Sequence, residues 1–261
     1  MKLHLLPNNL LEAYRQEIDL ELVNSYVNLE DSELSINEFS FYTSVSAVYS
    51  SKIEGEEIAL DSYVKHKRFG INFLPDYTQK VDDLYNAYQF AKTNALNKSN
   101  IEFAHKIATK NILPEKEQGK TRRNLMYVLT DAGQIEYVAA QPDKIVDELN
   151  KFYFDLDHLL NTKLTIIETF FYAAMLHLIF VKIHPFNDGN GRSSRLIEKW
   201  FLAKKLGEKA WLIGSEKNYY ENHNEYYKNL RILGLEYETL QYEKALPFLI
   251  MLPNSLKNKN Q

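Results

Sequence analysis

Between residues 184 and 195 the chain reads His-Pro-Phe-Asn-Asp-Gly-Asn-Gly-Arg-Ser-Ser-Arg, which brings together an imidazole, a carboxylate, a glycine-flanked amide and two guanidinium groups. Pro185 stops the apolar segment ahead of it. Gly189 and Gly191 permit φ > 0 and close backbone approach, and helical spacing resumes after Arg192. A glycine-bearing loop that opens a helix offers unpaired N–H groups and the positive end of the helix dipole, a natural receptor for phosphate. Arg192 and Arg195 lie at i,i+3, share one helix face and could reach further phosphate oxygens. Asp188 is placed to hold a hard cation such as Mg²⁺, which commonly joins one or two carboxylates to substrate phosphates. His184 titrates near neutrality, as a general base taking a hydroxyl proton should. Residue types and spacing together point to phosphate-transfer chemistry.

This stretch resembles the signature of the Fic (filamentation induced by cyclic AMP) family, His-Pro-Phe-x-Asp/Glu-Gly-Asn-Gly-Arg-x-x-Arg, at every fixed position. The resemblance implies transfer of AMP from ATP to a hydroxyl side chain (Ser, Thr or Tyr) of a target protein or of the chain itself, with pyrophosphate leaving. His184 would deprotonate the hydroxyl and Asp188 would coordinate Mg²⁺. Gly189, Asn190 and Gly191, with the Asn190 side chain, would cradle the α- and β-phosphates. Arg192 and Arg195 would take the β- and γ-phosphates, with Ser193 and Ser194 in the same nucleotide-binding run, and Phe186 would anchor the loop in the core. Other transfers by the same fold (phosphate, phosphocholine or UMP), removal of AMP, and a non-catalytic nucleotide sensor stand as alternatives. Lysine in place of Gly191, which marks some of those chemistries, is absent.

Stepping outward along the chain, residues 50–55 read Ser-Ser-Lys-Ile-Glu-Gly, a string similar to the inhibitory motif Ser/Thr-x-x-x-Glu-Gly/Asn of Fic proteins. The resemblance implies that Glu54, on a helix ending at Gly55, pairs with Arg195 and occupies the guanidinium that a γ-phosphate needs. Ser50 would brace the helix or bond Glu54. Two β-rich arms, 123–130 and 134–140, flank Asp131-Ala132-Gly133 and predict a hairpin. The family likeness makes it the flap that docks a target segment by strand addition, with Val128 and Thr130 near nucleotide or target. Tyr226 and Tyr227 resemble the segment lining the adenine pocket.

The supporting elements are helical. Periodicity predicts helices over 8–29, 36–54, 78–96, 101–113, from Pro142 onward, 165–183, 193–206, 218–233 and 243–252. The segment 57–76, with its basic run at residues 65–68, breaks the pattern and reads as loop. The apolar stretch 169–181 is shorter than the roughly 20 residues of a membrane span, so 165–183 reads as a buried central helix, with His177 a satisfied core histidine rather than a second base. The expected architecture is an all-α, Fic-type helical domain with a small β-hairpin flap. Residues 1–76 would form an N-terminal helical region with the inhibitory helix, and 77–261 the catalytic core with the C-terminal helices.

Composition sets outer bounds. With 31 basic and 35 acidic residues and a net charge of −4, no broad basic surface argues for nucleic acid. Cysteine is absent, which excludes disulfides and thiolate chemistry and makes a reducing cytoplasm the simplest compartment. Residues 1–7 carry too short an apolar run for a signal peptide. Self-association is an open option that could strengthen or relax the Glu54 contact.

Overall fold

A computed structural model describes residues 3–18, 21–31, 35–36, 40–129, 133 and 135–257. Among them the chain folds as α1 (Leu11–Glu17), α2 (Glu21–Val27), α3 (Phe41–Ile53), α4 (Leu60–Phe69), α5 (Pro75–Thr93), α6 (Lys98–Ala108), β1 (Tyr127–Leu129), β2 (Ile135–Val138), α7 (Ile145–Asn161), α8 (Ile166–Ile183), α9 (Asn190–Leu206), α10 (Ser215–Glu221), α11 (His223–Arg231) and α12 (Leu246–Asn254). The fold is helical with one small hairpin, as the periodicity requires.

Helix α8 is the post on which the rest is built. Thr165 and Glu168 close a capping box at its start: the Thr165 hydroxyl accepts the Glu168 N–H at 3.2 Å and the Glu168 carboxylate accepts the Thr165 N–H at 2.8 Å. By length and composition α8 could cross a membrane, yet its residues from Thr169 to Phe180 are all buried inside this fold. Helix α9 runs along it, with α7 and α12 packed on other sides. Trp200, Phe201 and Leu202 of α9 join Phe170, Phe171 and Phe180 of α8 in one core. Helix α3 packs on α5, α9 and α10, and its end meets the start of α9 through Glu54 and Arg195.

Several boundaries differ from the periodicity. The helix expected over 8–29 is two, because Ile18 turns to extended backbone after α1. The second starts at Phe41 rather than residue 36, where the Ser40 hydroxyl caps it by accepting the Thr43 N–H. Segment 57–76 is not a loop: α4 occupies 60–69 and ends at Gly70 in the left-handed region. Its basic run is partly paired, with His66 and Lys67 on Asp82 and Lys65 on Asp61. Helix α5 begins at Pro75, which fits an N1 position. Pro142 lies in a turn ahead of α7 instead of opening it. The tyrosine helix expected over 218–233 is broken into α10 and α11 at Asn222.

The hairpin pairs Tyr127 with Val138, Val128 with Tyr137 and Leu129 with Ile135, with a register shift after Val128. Its paired arms are shorter than the β-rich sequence suggested. The outer edge of β2 is covered, since Val138 N–H donates to Leu235 C=O at 2.8 Å and bridges to Glu236. Among the described residues no strand pairs with the other edge of β1.

The N-terminal segment docks through one carboxylate. Buried Asp155 on α7 accepts the N–H groups of His4, Leu5 and Leu6 at 2.7, 2.7 and 2.8 Å. Three bonds to an anion are strong, and their removal strands buried donors. Asp155→Ala is therefore expected to cost about 2–4 kcal/mol in urea unfolding and to speed amide exchange at residues 4–6. Unchanged exchange there would show that the segment docks by other means.

Candidate active site

The site forms where α8 hands over to α9. His184 ends α8 in a left-handed conformation, φ 52° and ψ 59°, and among the described residues other than glycine no other has positive φ. Such a backbone needs outside support, and Arg122 supplies it. Buried Arg122 donates from Nε to His184 C=O at 2.7 Å and from its other nitrogens to Asn124 C=O and Ala140 C=O, each at 2.6 Å, while its N–H bonds Pro185 C=O at 2.9 Å. One guanidinium thus clips both feet of the hairpin to the loop.

Nδ1 of His184 lies 3.2 Å from Val181 C=O. The carbonyl can only accept, so Nδ1 carries the proton and Nε2 keeps its lone pair. Burial lowers the His184 pKa to about 4, against the Val181 hydrogen bond, which raises it. The ring is neutral at pH 7 and faces a cavity lined also by Glu54, Val128, Gly191, Arg195, Tyr226 and Tyr227. A groove continuing past Lys52, Gly55, Tyr220 and Arg231 shares Glu54, Val128 and Tyr227 with it.

The loop itself is tightly closed. Asn190 accepts the Phe186 N–H with Oδ1 and donates from Nδ2 to Phe186 C=O, both at 2.9 Å. Its amide, expected to cradle phosphate, is spent on loop geometry, so this residue offers only its backbone to a ligand. Gly189 sits at φ 78°, and a Cβ there would lie 2.6 Å from Thr109 Cγ2. His105, stacked 3.7 Å from the Phe186 ring, accepts the Gly119 N–H with Nδ1 at 2.9 Å, and its Nε2 donates to Asp188 C=O at 2.9 Å. Burial lowers its pKa to about 4, against the hydrogen bond to Asp188.

Asp188 is exposed at the loop tip, with Oδ1 accepting the Gly189 N–H at 2.5 Å. Among the described residues no group of three or more His, Asp or Glu side chains forms a metal cage. A lone accessible carboxylate beside a phosphate receptor nevertheless fits Mg²⁺, which keeps waters and takes the rest of its oxygens from substrate.

The two arginines are both held by carboxylates. Arg195, 1% exposed, donates from Nη2 to Glu54 Oε1 at 2.6 Å and to Ser50 C=O at 3.1 Å, and from Nε to Ser50 Oγ at 2.8 Å. Burial pushes the Glu54 carboxyl up, but Arg195 and Arg192 together outweigh it and hold it below its ordinary range. Ser50, expected to brace the helix or to bond Glu54, accepts from Arg195 instead of bonding Glu54. Gly55, at φ 88°, ends α3 with its N–H on Lys52 C=O. Gly191 makes the pairing possible in space, because a Cβ on it would collide with Glu54 Oε1. Arg192 meets Glu56, a residue that sequence reasoning missed, at 3.4 Å.

Ser193 and Ser194 do not join the ligand face. Successive helical residues rotate by about 100°, so Ser193 faces Ile101, Ala104 and His105 in a small cleft and Ser194 Oγ donates back to Gly191 C=O at 2.8 Å. Tyr226 hydroxyl lies between His177 Nε2 at 3.0 Å and Arg195 Nη1 at 3.5 Å, and His177 Nδ1 meets Glu198 at 2.7 Å. His177 is thus a fully satisfied core residue, as expected. Thr130 lies outside the described residues. Lys182, also missed, lines the cavity with its ammonium 3.9 Å from the Tyr137 ring centroid, and burial lowers its pKa to about 8. Arg122, Glu56 and Lys182 carry no local signal beyond being charged residues near turns.

The sequence pattern of the Fic/DOC family matches residues 95–202. The chain carries a Fic/DOC family domain. This Fic domain spans α6, the hairpin and the whole His184–Arg195 loop, while Glu54 and Tyr226 lie outside the matched stretch. A protein named protein adenylyltransferase Fic, from Drosophila willistoni, is 36% identical over 92 residues, which is 34% of this chain and only 16% of that protein. A Fic family protein from Desulfovibrio desulfuricans superposes with a TM-score of 0.76 at 19% identity, over 99% of this chain and 75% of the other. Fic-1 from C. elegans superposes at 0.66 and 17% identity, over 95% and 68%. At those identities the likeness to the solved structures concerns the fold.

The two neutral imidazoles of the Fic domain make its stability depend on pH. Their folded pKa values, about 4, lie below the ordinary 6.5, so the unfolded chain takes up protons that the native chain refuses. Stability is then full above about pH 6.5 and falls as pH drops towards 4. Urea midpoints measured across that window should decline with falling pH, and His105→Gln should flatten the decline. An equal slope in both proteins would contradict the assignment for His105.

Proposed function

We propose that this protein transfers AMP from ATP to a hydroxyl side chain of a protein, itself or another, and that it rests in an autoinhibited state. One observation carries the reading: Glu54 Oε1 sits 2.6 Å from Arg195 directly above Gly191, in the cavity that His184 faces. The name of the D. willistoni relative supports the choice of AMP.

In this mechanism Nε2 of His184, neutral and unprotonated at pH 7, takes the proton of the incoming hydroxyl. The hydroxyl oxygen bonds the α-phosphorus, the bond from that phosphorus to the bridging oxygen breaks, and pyrophosphate leaves. The N–H groups opening α9 and the two guanidiniums hold the phosphates as charge moves onto the leaving group. Mg²⁺ held by Asp188 would neutralise phosphate charge. Tyr226, Tyr227 and the adjoining groove would take the base. A target segment would add to the free edge of β1, where Tyr127 and Leu129 are exposed.

Inhibition follows from charge. While Glu54 holds Arg195, an arriving polyphosphate meets a carboxylate where it needs a cation. Glu54→Gly is expected to raise AMP incorporation from Mg-ATP at least about tenfold, consistent with loss of a competing buried ion pair. His184→Ala should abolish incorporation. Intact-mass spectrometry of the three proteins reads both effects. Equal labelling of wild type and Glu54→Gly would remove the inhibitory role, and an adduct other than AMP would overturn the reaction.

A further inference from the structure

Glu136, on β2, carries into the candidate active site a carboxylate that nothing there satisfies. Its side chain is only 11% exposed, and it lines both the cavity of His184 and the outer groove. Oε1 is buried and accepts no hydrogen bond, because Arg231 Nη1 of α11, although 3.1 Å away, lies off the hydrogen-bonding direction. Among the described residues no donor reaches Oε2 either. A mostly buried carboxylate without a donor calls for one from outside the chain. The walls beside it are Val128, Tyr227 and Leu230. Two aliphatic side chains and one aromatic ring suit a flat heteroaromatic ligand, with polar groups placed to meet its edge.

We propose that Glu136 selects the base by accepting a hydrogen bond from an exocyclic amino group, so that the site takes a 6-aminopurine nucleotide and rejects a 6-oxopurine one. This rests on the AMP-transfer reading above and names the group that reads the adenine. The placement follows from the lining: His184, Gly191 and Arg195 line the inner cavity alone, whereas Glu136, Tyr227 and Arg231 line cavity and groove together. With the reacting phosphate beside His184, the base extends towards the groove and its edge reaches Glu136. A carboxylate has only acceptors and a guanidinium only donors. The 6-amino group therefore donates to Oε2 while Arg231 faces a ring nitrogen. In the same pose a 6-oxopurine sets an acceptor against the carboxylate, and the loss is large because the group left unpaired is buried. Burial of Oε1 leaves one oxygen in place of the two that a bidentate grip on the N–H groups of guanine needs.

Calorimetry on a Glu54→Gly/His184→Ala protein, which does not turn over, reads this selection. ATP should bind at least about tenfold tighter than inosine triphosphate (ITP), its 6-oxo counterpart. Adding Glu136→Leu should weaken ATP binding about tenfold and leave ITP within about twofold. Adding Glu136→Gln instead should tighten ITP binding by about threefold or more, since the amide can turn an N–H towards the oxo group. Loss shared equally by ATP and ITP in both variants overturns the proposal and makes Glu136 a brace between β2 and Arg231. Tighter binding of GTP than of ATP by the parent protein overturns it as well. If the parent binds no ATP, the AMP-transfer reading falls and takes the selection with it. If the parent binds ATP and ITP alike, the selection alone falls.

Discussion

A guanidinium buried to 1% exposure cannot be left without an anion, and that constraint on Arg195 organises the molecule. Glu54 answers it, with two bonds to Ser50 and a longer one from Nη1 to the Tyr226 hydroxyl. Breaking a buried pair by removing one partner commonly costs 3–5 kcal/mol, about the scale that separates a docked helix end from a loose one. The same contact therefore secures α3 against α9 and fills the anion site. On the proposed function, a phosphate would replace the carboxylate without leaving the cation unpaired, and ligand and helix end would compete for one charge. Such competition shifts a population only by the difference in affinity of the two states.

A second group of interactions holds His184. The left-handed backbone at His184 is not self-supporting, and Arg122 stabilises it from the hairpin side through three carbonyls and a main-chain bond. On the other side of the loop, His105 spans Gly119 and Asp188 and stacks on Phe186. Both supports end on backbone atoms, so they fix where the loop runs without offering competing charge to a ligand. The hairpin, too short to be stable alone, is in turn held by Arg122 at its feet and by Leu235 along β2, and among the described residues no strand pairs with the other edge of β1.

Beneath the cavity lies a polar layer that the core would not contain for packing alone. Glu198, His177 and Tyr226 link in sequence to Arg195, and Lys199 is enclosed by Glu216, Ser46 and the Ile213 carbonyl. Although Glu198 Oε1 has no hydrogen-bond partner, buried networks of this kind are costly to rearrange. They hold Tyr226 and Arg195 in one frame.

The loop chemistry was legible in the order of residues 184–195, because proline, glycine and i,i+3 arginines dictate a turn and a shared helix face whatever surrounds them. Helix existence was largely legible too, since apolar periodicity survives in most segments; it failed at α4 and at the breaks within 8–29 and 218–233, where caps and tertiary contacts outweigh period. The pairing of Glu54 with Arg195 was also anticipated, but only by likeness to a known motif. What tertiary structure alone decided was partnership. Asn190 turns inward to close its loop, Ser50 bonds Arg195 and not Glu54, Ser193 and Ser194 rotate away from the Arg192–Arg195 face, and Arg122, His105 and Glu56 arrive from separate elements. Linear order encodes which groups exist and how each turn is shaped, whereas the pairing of distant charges depends on packing that brings α3, α5 and the hairpin to a single helix start.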